Sequence, residues 1–195
     1  MLKFIRLHQK EGIEKLLNKY PVFGRFIGTV WIHWLEASLE MLTRIENDRK
    51  AIFRTFGVPT GVPIQNIQQG LSDPHRAGRV VSIITFITAV SALKIIYKPK
   101  DMHLDRAYQD ALKDLNHHSS LPPLKTIAVH CGDGYGYMEY VPHVLCKNKQ
   151  ALDDFYFNAG RLTAVLHILG CTDCHHENLI ANGEHLIFID TETLF

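Results

Sequence analysis

The most constraining feature of this sequence is the order of polar residues near its end. Asp173 and Asn178 stand five positions apart, and Asp190 follows twelve positions later. Between them, Asn182-Gly183 is the strongest short signal for a β-hairpin. A loop followed by two short strands would bring the three side chains back to one point. The spacing predicts a kinase-type phosphoryl-transfer site, in which one Asp handles the proton of the acceptor hydroxyl while the Asn and the later Asp hold Mg²⁺.

Two further residues extend this predicted site. Glu192 lies two positions after Asp190, so both carboxylates could serve the metal. Lys98 ends an apolar run and is followed by a Pro, and a Lys at the end of a strand can reach the phosphates of a nucleotide. We prefer it to Lys100 because it directly follows that run. The alternative is a solvated Lys on an edge strand.

The composition is that of a globular chain, and it lacks the excess of basic residues typical of nucleic-acid-binding proteins. Of 195 residues, 46% are hydrophobic and 21% are charged, and the formal net charge is +1. We therefore expect no nucleic-acid partner. The N-terminus lacks the apolar run of a signal peptide, and no stretch approaches the roughly 20 apolar residues of a membrane span. The four Cys are accordingly expected to be reduced thiols in a cytoplasmic protein.

Hydrophobic periodicity predicts a helical N-terminal region over residues 1–60. Tyr20-Pro21 is expected to end a first helix, because Pro cannot donate an N–H. A longer helix follows, whose apolar residues recur every three or four positions. Its two Trp residues, Trp31 and Trp34, are expected to pack in the core.

The pattern changes in residues 61–145, which predict a kinase-like N-lobe. Strands are predicted at Arg79–Ile87, Lys94–Lys98, Ile127–Val129 and Tyr137–Val141. A helix is predicted over Leu104–Leu115, and its apolar positions are Leu104, Ala107, Tyr108, Ala111 and Leu115. Residues 146–195 would begin a C-lobe, with a helix over Lys149–Leu169 before the loop and hairpin. The fold class expected from this order is α+β.

A turn-rich segment, Gly70–Arg79, precedes the predicted Arg79–Ile87 strand. In a kinase-like lobe, such a loop covers the nucleotide phosphates. Asp73 and His75 would face that site, and Gly78 would permit close approach of the backbone. The alternative is a plain turn beside a strand, which is the commoner case.

The segment that holds Asp173 offers a competing interpretation. Cys171-Thr-Asp-Cys174-His175 fits the attachment pattern of a c-type haem, and the same residues could bind Zn²⁺. Haem attachment normally belongs to exported chains, and a structural zinc site would want a matching second pair of ligands. The remaining alternative is two partly buried thiols that flank the loop.

Taken together, these motifs resemble the dehydratase domain of class II lanthipeptide synthetases, the LanM type. The landmarks appear in order along nearly the whole chain: Asn47-Asp48-Arg49, Ser72-Asp73-Pro-His75-Arg-Ala-Gly78-Arg79, Tyr97-Lys98-Pro-Lys100, Tyr135-Gly-Tyr-Met-Glu139, Asp173-x-His175-x-Glu-Asn178-Leu-Ile and Ile189-Asp190-x-Glu192-Thr-Leu-Phe195. The resemblance covers only the first part of the longer family architecture.

The resemblance implies a lipid-kinase-like fold that uses ATP and Mg²⁺ to phosphorylate Ser and Thr of a precursor peptide bearing a leader. Elimination of phosphate then yields dehydroamino acids, and a separate C-terminal cyclase, absent here, carries zinc. Carried over by motif, Asp173 acts on the acceptor hydroxyl with His175 beside it. The same carry-over gives Asn178, Asp190 and Glu192 to Mg²⁺, Lys98 to the phosphates, and Asp73 and His75 to the covering loop.

Some positions depart from the family pattern. Cys174 and His176 are unusual neighbours in the loop motif, and Asn158 stands where the long helix usually carries Arg. The chain also stops after Phe195, and we expect a truncated enzyme that folds poorly and catalyses nothing alone. The alternatives are a small-molecule or lipid kinase, and a non-catalytic remnant or binding module.

Overall fold

The computed structural model describes residues 12–74, 77–88 and 91–194, and it divides the chain into two compact units. The first unit contains the N-terminal residues up to Asn47 together with Ser72–Val80. The second contains Asp48–Leu71 and the chain from Val81 onward. The division at residues 60 and 145 stays a prediction. The described elements are helices and antiparallel strands, which confirms the α+β class.

Two helices make up the described part of the first unit outside Ser72–Val80. They are α1, Ile13–Lys19, and α2, Pro21–Asn47. The predicted break lies between them: the Tyr20 N–H donates to Leu16 O at 2.9 Å and closes the first helix. Pro21 then takes the first position of α2, where a missing N–H costs nothing because that group has no partner inside a helix.

The apolar side chains of α2 are largely exposed. Met41 and Ile45 are the buried residues of this helix, whereas Trp31 and Trp34 are 63% and 46% exposed. The prediction that both Trp residues pack in the core is therefore wrong. Apolar residues occur on more than one face of α2, so their spacing alone does not identify the buried face. None of the helices in the described part of the chain combines the length and apolar character that crossing a membrane requires.

A five-stranded antiparallel sheet forms the centre of the second unit. Its strands, in the order β1-β2-β3-β5-β4 across the sheet, are β1 Ile64–Gln68, β2 Ser82–Ile87, β3 Ala92–Lys98, β4 Val129–Cys131 and β5 Gly136–Glu139. Helices α3, Arg49–Phe56, and α4, His103–His118, belong to the same unit. The sequence missed β1, whose Ile-Gln-Asn-Ile-Gln pattern does not alternate. It is an edge strand, and its pairing with β2 shifts register between Ile64 and Asn66.

A long helix and a hairpin follow. They are α5, Lys149–Ile168, a 3₁₀ turn, His176–Asn178, and the strands β6, Leu179–Asn182, and β7, His185–Phe188. The Asn148 side chain caps α5 by accepting from the Ala151 N–H at 2.9 Å. The predicted hairpin is confirmed, and Gly183 in its turn has a φ of 60°.

A hydrophobic cluster joins α4, α5 and the hairpin. Tyr108 of α4 meets Phe188 of β7 edge-on, with ring centroids 5.9 Å apart. Among the predicted apolar positions of α4, Tyr108 is buried and Leu104 is partly buried, whereas Ala107, Ala111 and Leu115 are exposed. The buried face carries polar residues among apolar ones: Asp105, Tyr108, Gln109 and Leu112. These four recur at helical spacing, which fixes the direction in which Asp105 points.

Candidate functional site

The end of β3 meets the segment that follows β7. The Lys98 ammonium donates a hydrogen bond to Ile189 O at 2.6 Å. Strand β5 runs beside this end of β3, with Gly136 opposite Lys98. A Cβ at Gly136 would lie 2.5 Å from His130 O and 2.6 Å from the Met102 side chain, so only glycine fits there. Close packing of three segments therefore holds Lys98 in place.

Asp105 is the partner of Lys98, and the sequence analysis did not single it out. Lys98 Nζ lies 3.7 Å from Asp105 Oδ1, and the two side chains are 8% and 4% exposed. Burial lowers the pKa of Lys98, against the charge of Asp105, and burial raises the pKa of Asp105, against the charge of Lys98. Removal from water thus outweighs the attraction for both partners. Asp105 Oδ1 accepts no hydrogen bond from the described residues.

Lys100, two residues further on, contacts both predicted metal carboxylates. Its ammonium lies 2.8 Å from Asp190 Oδ1 and 2.6 Å from Glu192 Oε1. Burial acts to raise the pKa of Asp190, but the hydrogen bond and charge of Lys100 outweigh it and lower that pKa. Burial likewise acts to lower the pKa of Lys100, and hydrogen bonds to the two carboxylates raise it above its ordinary value. Both shifts favour the ion pair.

We call these five residues the junction: Lys98, Lys100, Asp105, Asp190 and Glu192. They come from the end of β3, from the first turn of α4 and from the segment after β7. The structure therefore brings Lys98, Asp190 and Glu192 into one region, and their roles stay predictions. The sequence preferred Lys98 over Lys100, whereas Lys100 is the residue in contact with the carboxylates.

Residues 171–178 form the second part of the site, which we call the acceptor loop. Gly170, at a φ of 69°, ends α5, and the Cys171 N–H donates back to Leu166 O at 2.9 Å. Within the loop, the Asn178 side chain donates to Asp173 O at 3.0 Å. His175 Nε2 lies 3.5 Å from Asp173 Oδ1. The structure thus gathers Asp173, His175 and Asn178 in one loop, with the Asp173 carboxylate exposed.

Two hydrogen bonds connect the acceptor loop to the segment after β7, which carries Asp190 and Glu192. The Ile189 N–H donates to Asn178 O at 3.0 Å, so Asn178 lies beside the residue that precedes Asp190. The Asp173 N–H donates to the Thr193 hydroxyl at 3.2 Å. The residues predicted from the 173–178–190 spacing are therefore held in one region of the second unit.

The cysteines of the loop differ from expectation. Cys171 and Cys174 are joined as a disulfide, with Cα atoms 6.2 Å apart, and Cys131 and Cys146 are free. The prediction of four reduced thiols is thus wrong for this pair. A disulfide also occupies both sulfur atoms that a haem or zinc site would use. No group of three or more His, Cys, Asp or Glu side chains in residues 12–74, 77–88 and 91–194 is arranged to hold a metal ion.

The predicted phosphate-covering loop is described only in part. Asp73 is exposed and belongs to the first unit, and His75 lies outside the described residues. Gly78 has a φ of 85°, and a Cβ there would lie 3.1 to 3.2 Å from His33. This close contact within the first unit explains the glycine at position 78 by packing, without reference to a nucleotide. The roles of Asp73 and His75 stay predictions.

The donor set of the junction and the acceptor loop consists of carboxylate, amide and ammonium groups. Two carboxylates, Asp190 and Glu192, already place their oxygens around one cationic nitrogen. Carboxylate and amide oxygens are ligands that Mg²⁺ prefers, and ammonium groups suit phosphate. A cavity of about 510 Å³ is lined by residues that include Thr55, Lys94 and Tyr140, and by none of the predicted site residues.

Comparison with known proteins adds two findings. A protein family described as a domain of unknown function, DUF4135, matches residues 20–195. The lacticin 481/lactococcin biosynthesis protein LcnDR2 of Lactococcus lactis subsp. lactis is 28% identical over 134 residues. That alignment covers 63% of this chain and 14% of LcnDR2, so the chain spans a small part of its relative's length.

Proposed function

We propose a catalytic function for this chain, which belongs to the DUF4135 family and is of the LanM type of lanthipeptide synthetase. The chain takes part in lanthipeptide biosynthesis, as LcnDR2 does in that of lacticin 481. It contributes the phosphorylating half of a dehydratase, transferring phosphate from ATP to Ser and Thr of a precursor peptide before elimination. The peptide substrate and its leader are part of the proposal.

One observation carries this proposal: the convergence of the junction and the acceptor loop. Phosphoryl transfer is catalysed mainly by positioning and by electrostatic stabilisation. Here Lys98 and Lys100 supply positive charge next to Asp190, and the Ile189 N–H binds the carbonyl of Asn178 beside it. Cations, carboxylates and a polar loop thus meet at the end of one strand. This arrangement supports a nucleotide site better than a general polar surface.

Asp190, Glu192 and Asn178 would hold Mg²⁺, which neutralises charge on the phosphate oxygens when it is bound. Lys98 is fixed by Ile189 O and Asp105, so its ammonium offers an ordered charge for the phosphates. Buried charges of this kind act strongly because little water screens them. The role of Asp73 and His75 in a phosphate-covering loop stays a prediction from the sequence.

The acceptor loop handles the substrate hydroxyl in this proposal. The exposed Asp173 carboxylate accepts the proton of the Ser or Thr hydroxyl as it attacks. His175 lies 3.5 Å from that carboxylate and orients it. The Asn178 side chain donates a hydrogen bond to the backbone carbonyl of Asp173. Exposure of Asp173 suits a peptide substrate, because the acceptor side chain must enter from outside.

The lobes follow from these assignments. We propose that the five-stranded sheet with α4 is a lipid-kinase-like N-lobe, and that α5 with the hairpin begins the C-lobe. Dependence on ATP makes a cytoplasmic location part of the same proposal. A small-molecule kinase or a binding module would use the same residues with a different acceptor, or with none.

The test is phosphorylation of a lanthipeptide precursor that carries its leader by a longer protein that contains this chain, followed by mass spectrometry. We expect addition of phosphoryl groups with ATP and Mg²⁺, and loss of that addition in Asp173→Asn. Asp154→Asn is the matched control, because Asp154 is a carboxylate on α5 that receives a hydrogen bond from Gln150. Transfer that persists in Asp173→Asn would remove the proposed proton acceptor. Nucleotide binding without transfer to any peptide would favour a binding module.

A further inference from the structure

The two lysines at the end of β3 have different surroundings, and the difference suggests a division of labour. Lys98 is enclosed: its side chain is 8% exposed, and its ammonium is engaged by Ile189 O and Asp105. Lys100 is 25% exposed, and its partners, Asp190 and Glu192, are 36% and 62% exposed. Only Lys100 of the pair therefore has room to change partners.

The carboxylates need a cation in every state of the site. Asp190 Oδ1 and Glu192 Oε1 lie within 2.8 Å of the same nitrogen, so they are close to each other and would repel if that charge were removed. Asp105, almost fully buried, adds a third negative charge near this region, and its Oδ1 accepts no hydrogen bond from the described residues. In the structure the neutralising charge at Asp190 and Glu192 is the ammonium of Lys100.

We propose that Lys100 is the resident counter-ion of the carboxylate pair and that a divalent cation displaces it. In the structure the ammonium occupies the position between Asp190 and Glu192. A divalent cation held by these carboxylates would take that position, and Lys100 would then be available to contact phosphate oxygens. The contact of Lys100 with nucleotide phosphates rests on the proposed function. The displacement of Lys100 by a metal ion does not.

Displacement of Lys100 by a metal ion predicts a result that a purely structural role of Lys100 does not. A lysine that only stabilises the fold would lower every binding affinity when removed. A resident counter-ion competes with the metal, so its removal strengthens metal binding in the absence of nucleotide. The same removal weakens binding of the nucleotide, because a phosphate contact is lost. A higher affinity for the metal together with a lower affinity for the nucleotide identifies Lys100 as a counter-ion that the metal displaces.

The experiment uses the whole chain and three variants. Lys100→Gln removes the charge at similar length, and Lys100→Arg retains it. Lys113→Gln is the matched control, since Lys113 is an exposed lysine that pairs with Asp110 on α4. Mn²⁺ alone is titrated and followed by electron paramagnetic resonance of the free ion. A non-hydrolysable ATP analogue is then titrated in the presence of Mg²⁺.

We expect Lys100→Gln to bind Mn²⁺ on the order of tenfold more tightly than the wild type, and the analogue on the order of tenfold more weakly. Lys100→Arg and Lys113→Gln should stay close to the wild type. Thermal unfolding gives a second readout: Lys100→Gln should be less stable without metal, and Mn²⁺ should stabilise it more than it stabilises the wild type.

Unchanged or weaker Mn²⁺ binding by a folded Lys100→Gln would overturn the inference. Failure of Mn²⁺ to bind any of the proteins would overturn it as well. A third result separates it from the proposed function. If Mn²⁺ binds Lys100→Gln more tightly but neither protein binds the analogue, the counter-ion role is supported while the phosphate contact and the kinase proposal both fail.

Discussion

The junction and the acceptor loop are neighbours, yet they are built on opposite principles. In the junction, Lys98 and Asp105 are almost fully buried, and charges from three segments interlock. In the acceptor loop, Asp173 and His175 are about half exposed and are held by a few hydrogen bonds. Buried charges are costly to unpair, whereas exposed ones are not. Stability should therefore be concentrated in the junction, and substrate chemistry in the loop.

The largest effect on stability should come from breaking the buried pair. Asp105→Ala removes the buried carboxylate that pairs with the Lys98 ammonium, and we expect a loss of about 3 kcal/mol in the free energy of unfolding. Urea denaturation followed by circular dichroism measures it. The control is the double variant Lys98→Met/Asp105→Leu, which should recover most of the loss because it removes both charges. A loss below about 1 kcal/mol in Asp105→Ala would mean that the pair is not coupled to folding.

A smaller effect should follow reduction of the Cys171–Cys174 disulfide. The bond closes a short stretch of chain, for which the restriction of the unfolded state is worth about 2 kcal/mol at most. Unfolding with and without a dithiol reductant measures the difference, and peptide mapping without reduction verifies the linkage. The double variant Cys171→Ser/Cys174→Ser should behave like the reduced protein. Identical stability in both redox states would show that the bond does not restrain the loop.

Asp190→Asn should have a modest effect that depends on pH. The folded-state pKa of Asp190 lies below its ordinary value of 3.8, so the ionised carboxylate stabilises the fold above that value. The stabilisation is lost as the pH falls through the lower, folded-state pKa. Because Asp190 is partly exposed, the difference from the wild type at pH 7 should be about 1 kcal/mol or less. It should shrink towards zero in acid, and a difference that grows on acidification would contradict the ion pair with Lys100.

Asp173→Asn should have the smallest effect on stability. The side chain is exposed and the variant retains its shape, so we expect a change within about 0.5 kcal/mol. Under the proposed function, the same variant abolishes transfer to the peptide. Thermal unfolding and the precursor assay, run on one preparation, test both halves of the statement. A large loss of stability would show that the acceptor loop is as tightly coupled to the fold as the junction.

Much of the local structure around the candidate site could be predicted because local signals determine it. The backbone preferences of single residues determine three of these features. They are the break between α1 and α2 at Pro21, the turn at Gly183 and the end of α5 at Gly170. The order of Asp173, Asn178 and Asp190 then followed from a loop and a hairpin. Such features require no knowledge of distant contacts.

The features that were missed depend on tertiary packing. Asp105 lies on the same helical face as Tyr108 and Leu112, and that spacing is the signal that could have found it. Its neighbours are Lys98 at the end of β3 and residues in the segment after β7, and no local pattern in the sequence indicates these contacts. The prediction missed the edge strand β1 and the exposure of Trp31 for the same reason, because both depend on neighbours in space. The choice between Lys98 and Lys100 likewise needed the position of Asp190.

We propose that the junction and the acceptor loop together bind a magnesium nucleotide. Equilibrium titration of this chain with ATP, with and without Mg²⁺, tests it most directly. We predict binding that requires Mg²⁺, that is lost in Asp190→Asn, and that is retained in Asp110→Asn, a carboxylate control on α4. Binding that is independent of Mg²⁺, or equal in Asp190→Asn and Asp110→Asn, would contradict the account.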